Sequence, residues 1–195
     1  MSKAAQTKAF IIEKTAPIFN KKGFAGTSLS DMTEATGLTK GSIYGNFSNK
    51  DEVALAVFDH NMNKVNQIIQ AEMSKHSTAK EQLLALVHIY NNSPDFLFPD
   101  GGCPMLNTAI EADDTHPQLR LKAANAIITW KNKLTSLLEK GIKNQEFKAI
   151  PDPEQIALTL IATIEGGVMI SKLTGKLNHL RLIMKSVERQ IRSLE

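Results

Sequence analysis

Cysteine is almost absent. Cys103 stands alone among 195 residues, which excludes an intramolecular disulfide and any all-cysteine metal centre. Five histidines are scattered so that no two lie three or four apart on one helix, so no helical metal pair is expected. Glycine-rich phosphate loops and nucleophile-elbow signatures are missing. An enzyme could be assembled only from Cys103, His88 and His116 with Asp113 or Asp114, and no local signature supports it; the chain reads as a non-enzyme without a cofactor. Met1 to Asn20 lacks the unbroken apolar core of a signal peptide, because Lys8, Glu13 and Lys14 interrupt it. A cytoplasmic location is the natural expectation. There is no internal repeat, no low-complexity tract and no alternating strand pattern, so the fold class is all-α. Apolar residues make up 42% of the chain, enough for the core of one large or two small domains.

Arginine is missing from residues 1–50, which hold seven lysines against Glu13, Asp31 and Glu34. This quarter carries +4 of a total of +3, leaving −1 on the rest. A basic first quarter on a near-neutral body points to a polyanion partner, with a solvated lysine surface as the plainer alternative.

What is present is helix punctuation. A first helix is expected from about Thr7 to Lys22, bent at Pro17 and ended by Gly23. Ser28 with Asp31 forms a capping arrangement for a second helix. Gly37 supplies a turn, and Thr39 caps a third short helix with Ile43 and Phe47 on its apolar side. Cap, helix, glycine, cap, helix is the pattern of a helix-turn-helix, whose second helix reads the DNA major groove. Ser48 or Asn49 opens a long fourth helix to about Met73. Thr78 and Glu81 cap a fifth. Asn91 to Gly102 reads as a loop. Pro104 starts a short helix, Pro117 a long one to about Lys143, and Asp152-Pro153-Glu154 another. Ile156 to Leu173 is apolar nearly all round. Glu165, Gly166, Gly167 and Lys172 argue for burial in protein rather than a membrane span. A last helix follows through Ile191, for about nine in all.

Over Thr7 to Phe58 the chain resembles the TetR family of bacterial transcriptional regulators. The resemblance rests on Ile11, Phe19 and Gly23, on Thr27-Ser28-Leu29, on Gly37-Leu38-Thr39-Lys40-Gly41-Ser42-Ile43-Tyr44, and on Phe47-Ser48-Asn49-Lys50. It implies an N-terminal three-helix helix-turn-helix domain over residues 5–65, including the start of the linking fourth helix. A larger effector-binding and dimerisation domain would occupy residues 66–195. The function implied is that of a ligand-responsive regulator, a repressor by family tendency, which binds a palindromic operator as a homodimer. Gly45-Asn46 departs from the histidine or bulky residue many members carry after the tyrosine, and Pro17 is unusual in a first helix.

The residues assigned to DNA are Thr27, Ser28, Thr39, Lys40, Gly41, Ser42, Tyr44, Gly45, Asn46 and Lys50. Lys40, Gly41 and Ser42 would open the recognition helix, where backbone amides favour phosphate. Tyr44 offers a hydroxyl and a ring, Asn46 an amide for adenine, and Lys50 matches a family phosphate contact. Each has a plainer reading: a half-buried tyrosine, a solvated lysine, a helix cap. Tyr90, Phe96, Phe98, Cys103, Met105, Asn107, Trp130 and Met169 are the candidates for an effector pocket, though each alone fits an ordinary core. Cys103 at a helix start is a possible redox or electrophile sensor. Residues 156–173 and 177–191 are the expected homodimer surface, with Gly166 and Gly167 allowing close approach. The rival to regulation is a helical dimeric adaptor without an effector.

Overall fold

In a computed structural model of the protein, which describes residues 2–92, 98–149 and 151–195 without the side chain of Asn92, the described residues form nine helices and no strand. They are α1 (Lys3–Gly26), α2 (Leu29–Thr36), α3 (Lys40–Tyr44), α4 (Lys50–Met73), α5 (Ala79–Asn92), α6 (Pro104–Ala112), α7 (Pro117–Lys143), α8 (Pro153–Thr174) and α9 (Leu177–Arg192).

The helix starts follow local chemistry. Ser28 Oγ accepts from the Asp31 amide at 3.1 Å, and the Asp31 carboxylate accepts from the Ser28 amide at 2.8 Å, a reciprocal capping box. Thr78 and Glu81 repeat it for α5. Asp152 accepts from the Gln155 amide at 2.9 Å, with Pro153 as the first residue of α8. Asn49 rather than Ser48 caps α4, through the Glu52 amide at 2.8 Å. α1 starts four residues earlier than expected because Ser2 caps it. Pro17 lies inside α1, yet the only non-helical backbone there is at Gly23 (φ 72°, ψ −179°). The break therefore sits at the glycine, not at the proline.

The chain divides into two compact units. The first comprises residues 1–64 and 98–125, so α6 and the start of α7 belong with the helix-turn-helix. Within this unit α6 packs on α1. Ile11, Met32, Ile43, Phe47, Val53 and Val57 form its core, with Met105 and Leu119 buried on the later helices.

The second unit comprises residues 65–97 and 126–195. In it α9 packs on α8 and on α5, burying Leu83, Tyr90, Leu160, Ile164, Leu180 and Met184. α8 is long and apolar enough to cross a bilayer by length and composition, but its Ala157, Leu160, Ile164 and Val168 are buried in the protein. Gly167 explains the close crossing: a Cβ there would come within 3.1 Å of Leu180 and Ile183 on α9. Gly166 faces open space.

Candidate nucleic-acid interface

The turn between α2 and α3 is closed by Gly37 in the left-handed region (φ 66°), its N–H donating to Thr33 O at 2.9 Å. Thr39 then caps α3, its hydroxyl accepting from the Ser42 amide at 3.2 Å. Ile43 and Phe47 anchor this short helix from below, both essentially without exposure. Anchoring one face leaves the other outward: Lys40, Gly41 and Ser42 are exposed at its N-terminus, and Tyr44 is half-buried. Among the described residues Lys40 makes no ion pair. α3 ends sooner than its sequence suggests, at Tyr44, with Gly45 and Asn46 in a turn. Asn46 Nδ2 donates to Ser42 O at 2.9 Å. That bond fastens the Asn46 amide to the helix end and leaves its Oδ1 as the acceptor free to meet a base edge.

Two of the assigned residues also make internal contacts. Thr27 is fully buried, and its hydroxyl donates to Gly23 O at 2.6 Å. Lys50 directs Nζ to Thr27 O at 2.7 Å and over the Phe24 ring at 4.3 Å. Its ammonium is thus a strut that ties α4 to the α1–α2 junction, with only its remaining donors available for phosphate. Ser28 is exposed, but its hydroxyl already serves Asp31, both accepting from the amide and donating to the carboxylate.

Ion pairs hold this head together. Lys22 bonds Asp31 at 2.6 Å, and with the Ser28 groups it keeps that carboxyl well below the usual carboxylate range. Glu52 accepts from Lys8 Nζ and from the Ser48 amide, both at 2.7 Å, which holds its carboxyl down to about 2. Lys8 also lies 4.6 Å over the Phe47 ring, so one lysine braces both ends of the α3–α4 link. His116 accepts from the Leu119 amide through Nδ1 and places Nε2 3.1 Å from Asp51 at the start of α4.

The residues that sequence reading missed are Glu111 and Asn20. Glu111, on α6, accepts from the backbone amides of Phe24 and Ala25, each at 2.8 Å. Nothing in its local sequence signals a partner 86 residues away. Asn20 is buried, donating to Asp100 O and Gly102 O at 2.9 Å; an asparagine next to Phe19 on an apolar stripe was the available hint.

The pocket candidates do not behave as a set. Phe96 lies outside the described residues. Phe98, Cys103, Met105 and Asn107 belong to the first unit; Tyr90, Trp130 and Met169 belong to the second. Tyr90, Cys103 and Met105 are buried, while Met169 is exposed. Asn107 donates to Asn20 O at 3.1 Å and Gly101 O at 2.9 Å. Cys103 is a buried thiol. The second unit does contain a groove of about 440 Å³, lined by Glu72, His76, Glu81, Leu84, His88 and Arg192 among others, none of them on the expected list. No group of three metal-ligating side chains occurs among the described residues.

Comparison with known proteins agrees with this geometry. The family model described as "Bacterial regulatory proteins, tetR family" matches residues 11–57, and "Tetracyclin repressor-like, C-terminal domain" matches residues 79–187. A TetR-family regulator from Cytophaga hutchinsonii is 49% identical, with 100% of this chain and 98% of that chain covered and a TM-score of 0.96. A second, from Chloroflexus aurantiacus, is 34% identical, with 98% and 97% covered and a TM-score of 0.92. The HTH-type transcriptional regulator TtgR of Pseudomonas putida is 25% identical over 169 residues, 84% of this chain and 79% of its own. With an exposed α3 held on α2 by Gly37 and Thr39, and with both halves matched, the chain belongs to the TetR family of DNA-binding transcriptional regulators.

Proposed function

We propose that the protein is a homodimeric, ligand-responsive repressor that binds a two-fold operator through α3 of each protomer. The observation that carries the DNA reading is the exposed N-terminus of α3, where Lys40, Gly41 and Ser42 face outward from a helix seated on the buried Ile43 and Phe47. Lys40 meets a guanine or a phosphate, Ser42 and Asn46 meet base edges, and Tyr44 packs on backbone or a thymine methyl. Without arginine in this quarter, the commonest guanine contact is absent, and DNA shape takes a larger share of the readout.

Dimerisation is supported by an apolar stripe on α8 and α9. Leu158, Met169, Ile170, Leu173 and Leu182 are all exposed, Leu173 at 84%. Pairing two such surfaces gives a four-helix arrangement of the bundle type. The effector acts in the second unit, where the groove beside α5 is a candidate site. Its binding shifts α4, which runs from the first unit into the second, and so the spacing of the two recognition helices. The shift requires the effector to prefer the state that does not fit DNA.

A gel-shift titration of the full-length protein against the DNA upstream of its own gene tests the reading. A retarded band at low salt that is lost at high salt is expected; no retardation of that DNA, or of any duplex selected from a random library, overturns it.

A further inference from the structure

α1 does not end where it breaks. Gly23 leaves the helical region, and a final turn then runs on to Gly26. A break of this kind exposes backbone groups on both sides. In an unbroken helix Asn20 O would accept from Phe24 N; across the break both need other partners. The new turn also begins at a residue without a side chain, so it cannot cap itself.

α6 supplies what is missing. Asn107 and Glu111 are one helical turn apart and face α1 together. Asn107 Nδ2 donates to Asn20 O at 3.1 Å, serving the carbonyl side of the break. The two carboxylate oxygens of Glu111 accept from Phe24 N and Ala25 N, each at 2.8 Å, serving the amide side. Gly23 makes room for this: a Cβ there would lie 2.3 Å from the Glu111 carboxylate. The far side of the junction leads straight into the reading head. Thr27 Oγ1 donates to Gly23 O, Lys50 Nζ donates to Thr27 O, and Ser28 caps α2.

We infer that Glu111 is a positioning residue for DNA binding, clamping from α6 the backbone at Phe24 and Ala25 and so fixing the angle at which α2 and α3 leave α1. The inference rests on the DNA-binding reading above. It adds to that reading a second point of control besides α4: any shift of α6 is delivered to the helix-turn-helix through two backbone hydrogen bonds.

The sign of the charge effect makes the test discriminating. Glu111→Gln and Glu111→Ala each remove a negative charge, which by electrostatics alone strengthens binding to a polyanion. Loss of positioning weakens it. The experiment uses the full-length protein and the tightest duplex recovered from a random library, with Glu154→Gln on α8 as a charge-matched control. Affinity by fluorescence anisotropy and amide exchange by NMR are read well below the melting temperature. The expected result is at least a tenfold weaker affinity for Glu111→Ala, a smaller loss for Glu111→Gln, and no loss for the control. Phe24 and Ala25 amides should exchange at least tenfold faster, with Asp31 and Ser42 unchanged. Faster exchange with affinity within twofold of wild type overturns the positioning role; unchanged exchange overturns the clamp itself. If Glu111→Ala does not fold, Glu111→Gln decides by the same two readouts. Wild-type protein that binds no duplex overturns the DNA-binding reading instead, and exchange at Phe24 and Ala25 then still decides the clamp.

Discussion

At the scale of single residues the head is held by charges that are exposed yet well directed. Glu52 shows this most clearly. Its carboxylate takes one bond from Lys8 and one from the Ser48 amide, and its pKa falls from 4.5 to about 2. A carboxyl depressed in the folded state contributes stability above its unfolded pKa and loses it as pH falls through its folded pKa. The contribution of Glu52 is therefore complete above about pH 4.5 and gone near pH 2. Glu52→Gln is expected to lower the melting temperature at pH 6, with the gap to wild type closing as the pH approaches 2. Thermal melts of both proteins across that range check it; a gap independent of pH rules it out. The caps Ser28, Thr39 and Asp152 were legible in the sequence because a cap acts on an amide two or three residues away. The roles of Lys50 and Thr27 were not. Their partners, Thr27 O and Gly23 O, are backbone carbonyls, and a motif that matches a family contact does not say which way a side chain turns.

At the scale of helices, sequence located nearly every element, since apolar spacing and capping residues act locally. α7 runs from Pro117 to Lys143 as its periodicity indicates, and α9 starts at Leu177. What periodicity could not separate was the buried face of α8 from its outer face, because both are apolar. The fold separates them: Leu160, Ile164 and Val168 are buried, while Leu158, Met169, Ile170 and Leu173 are not. An exposed apolar stripe is what the proposed dimer surface requires. Leu173→Asp is expected to leave the protomer folded, since the side chain is 84% exposed, and to turn the dimer into a monomer at micromolar concentration. Sedimentation velocity with circular dichroism checks both halves; a dimer of unchanged stability shows that this stripe is not the interface.

At the scale of the whole molecule, charge and chain order tell different stories. The basic surplus lies in residues 1–50, and the helix-turn-helix was legible there from its punctuation alone. The unit that contains it also takes in residues 98–125, and nothing in the order of elements announced that, because the ties run between Asn20, Phe24 and Ala25 on one side and Asn107 and Glu111 on the other. The surplus charge gives a direct count of reading heads on DNA. Each phosphate neutralised releases counterions and adds about 0.9 to the slope of log affinity against log salt. Lys40 is exposed and makes no ion pair among the described residues, so removing it breaks none of those ion pairs. If two protomers bind one operator and Lys40 meets phosphate, Lys40→Ala lowers the slope by about 2, one for each head. A fall of about 1 means that a single head is engaged, and an unchanged slope assigns Lys40 no phosphate at all. Anisotropy titrations of both proteins between 50 and 200 mM salt, about the range over which such contacts separate clearly, distinguish the three. Combined with Leu173→Asp, the measurement separates protein assembly from operator symmetry: the monomeric variant should show about half the wild-type slope even on a two-fold site, because the second head is no longer delivered with the first.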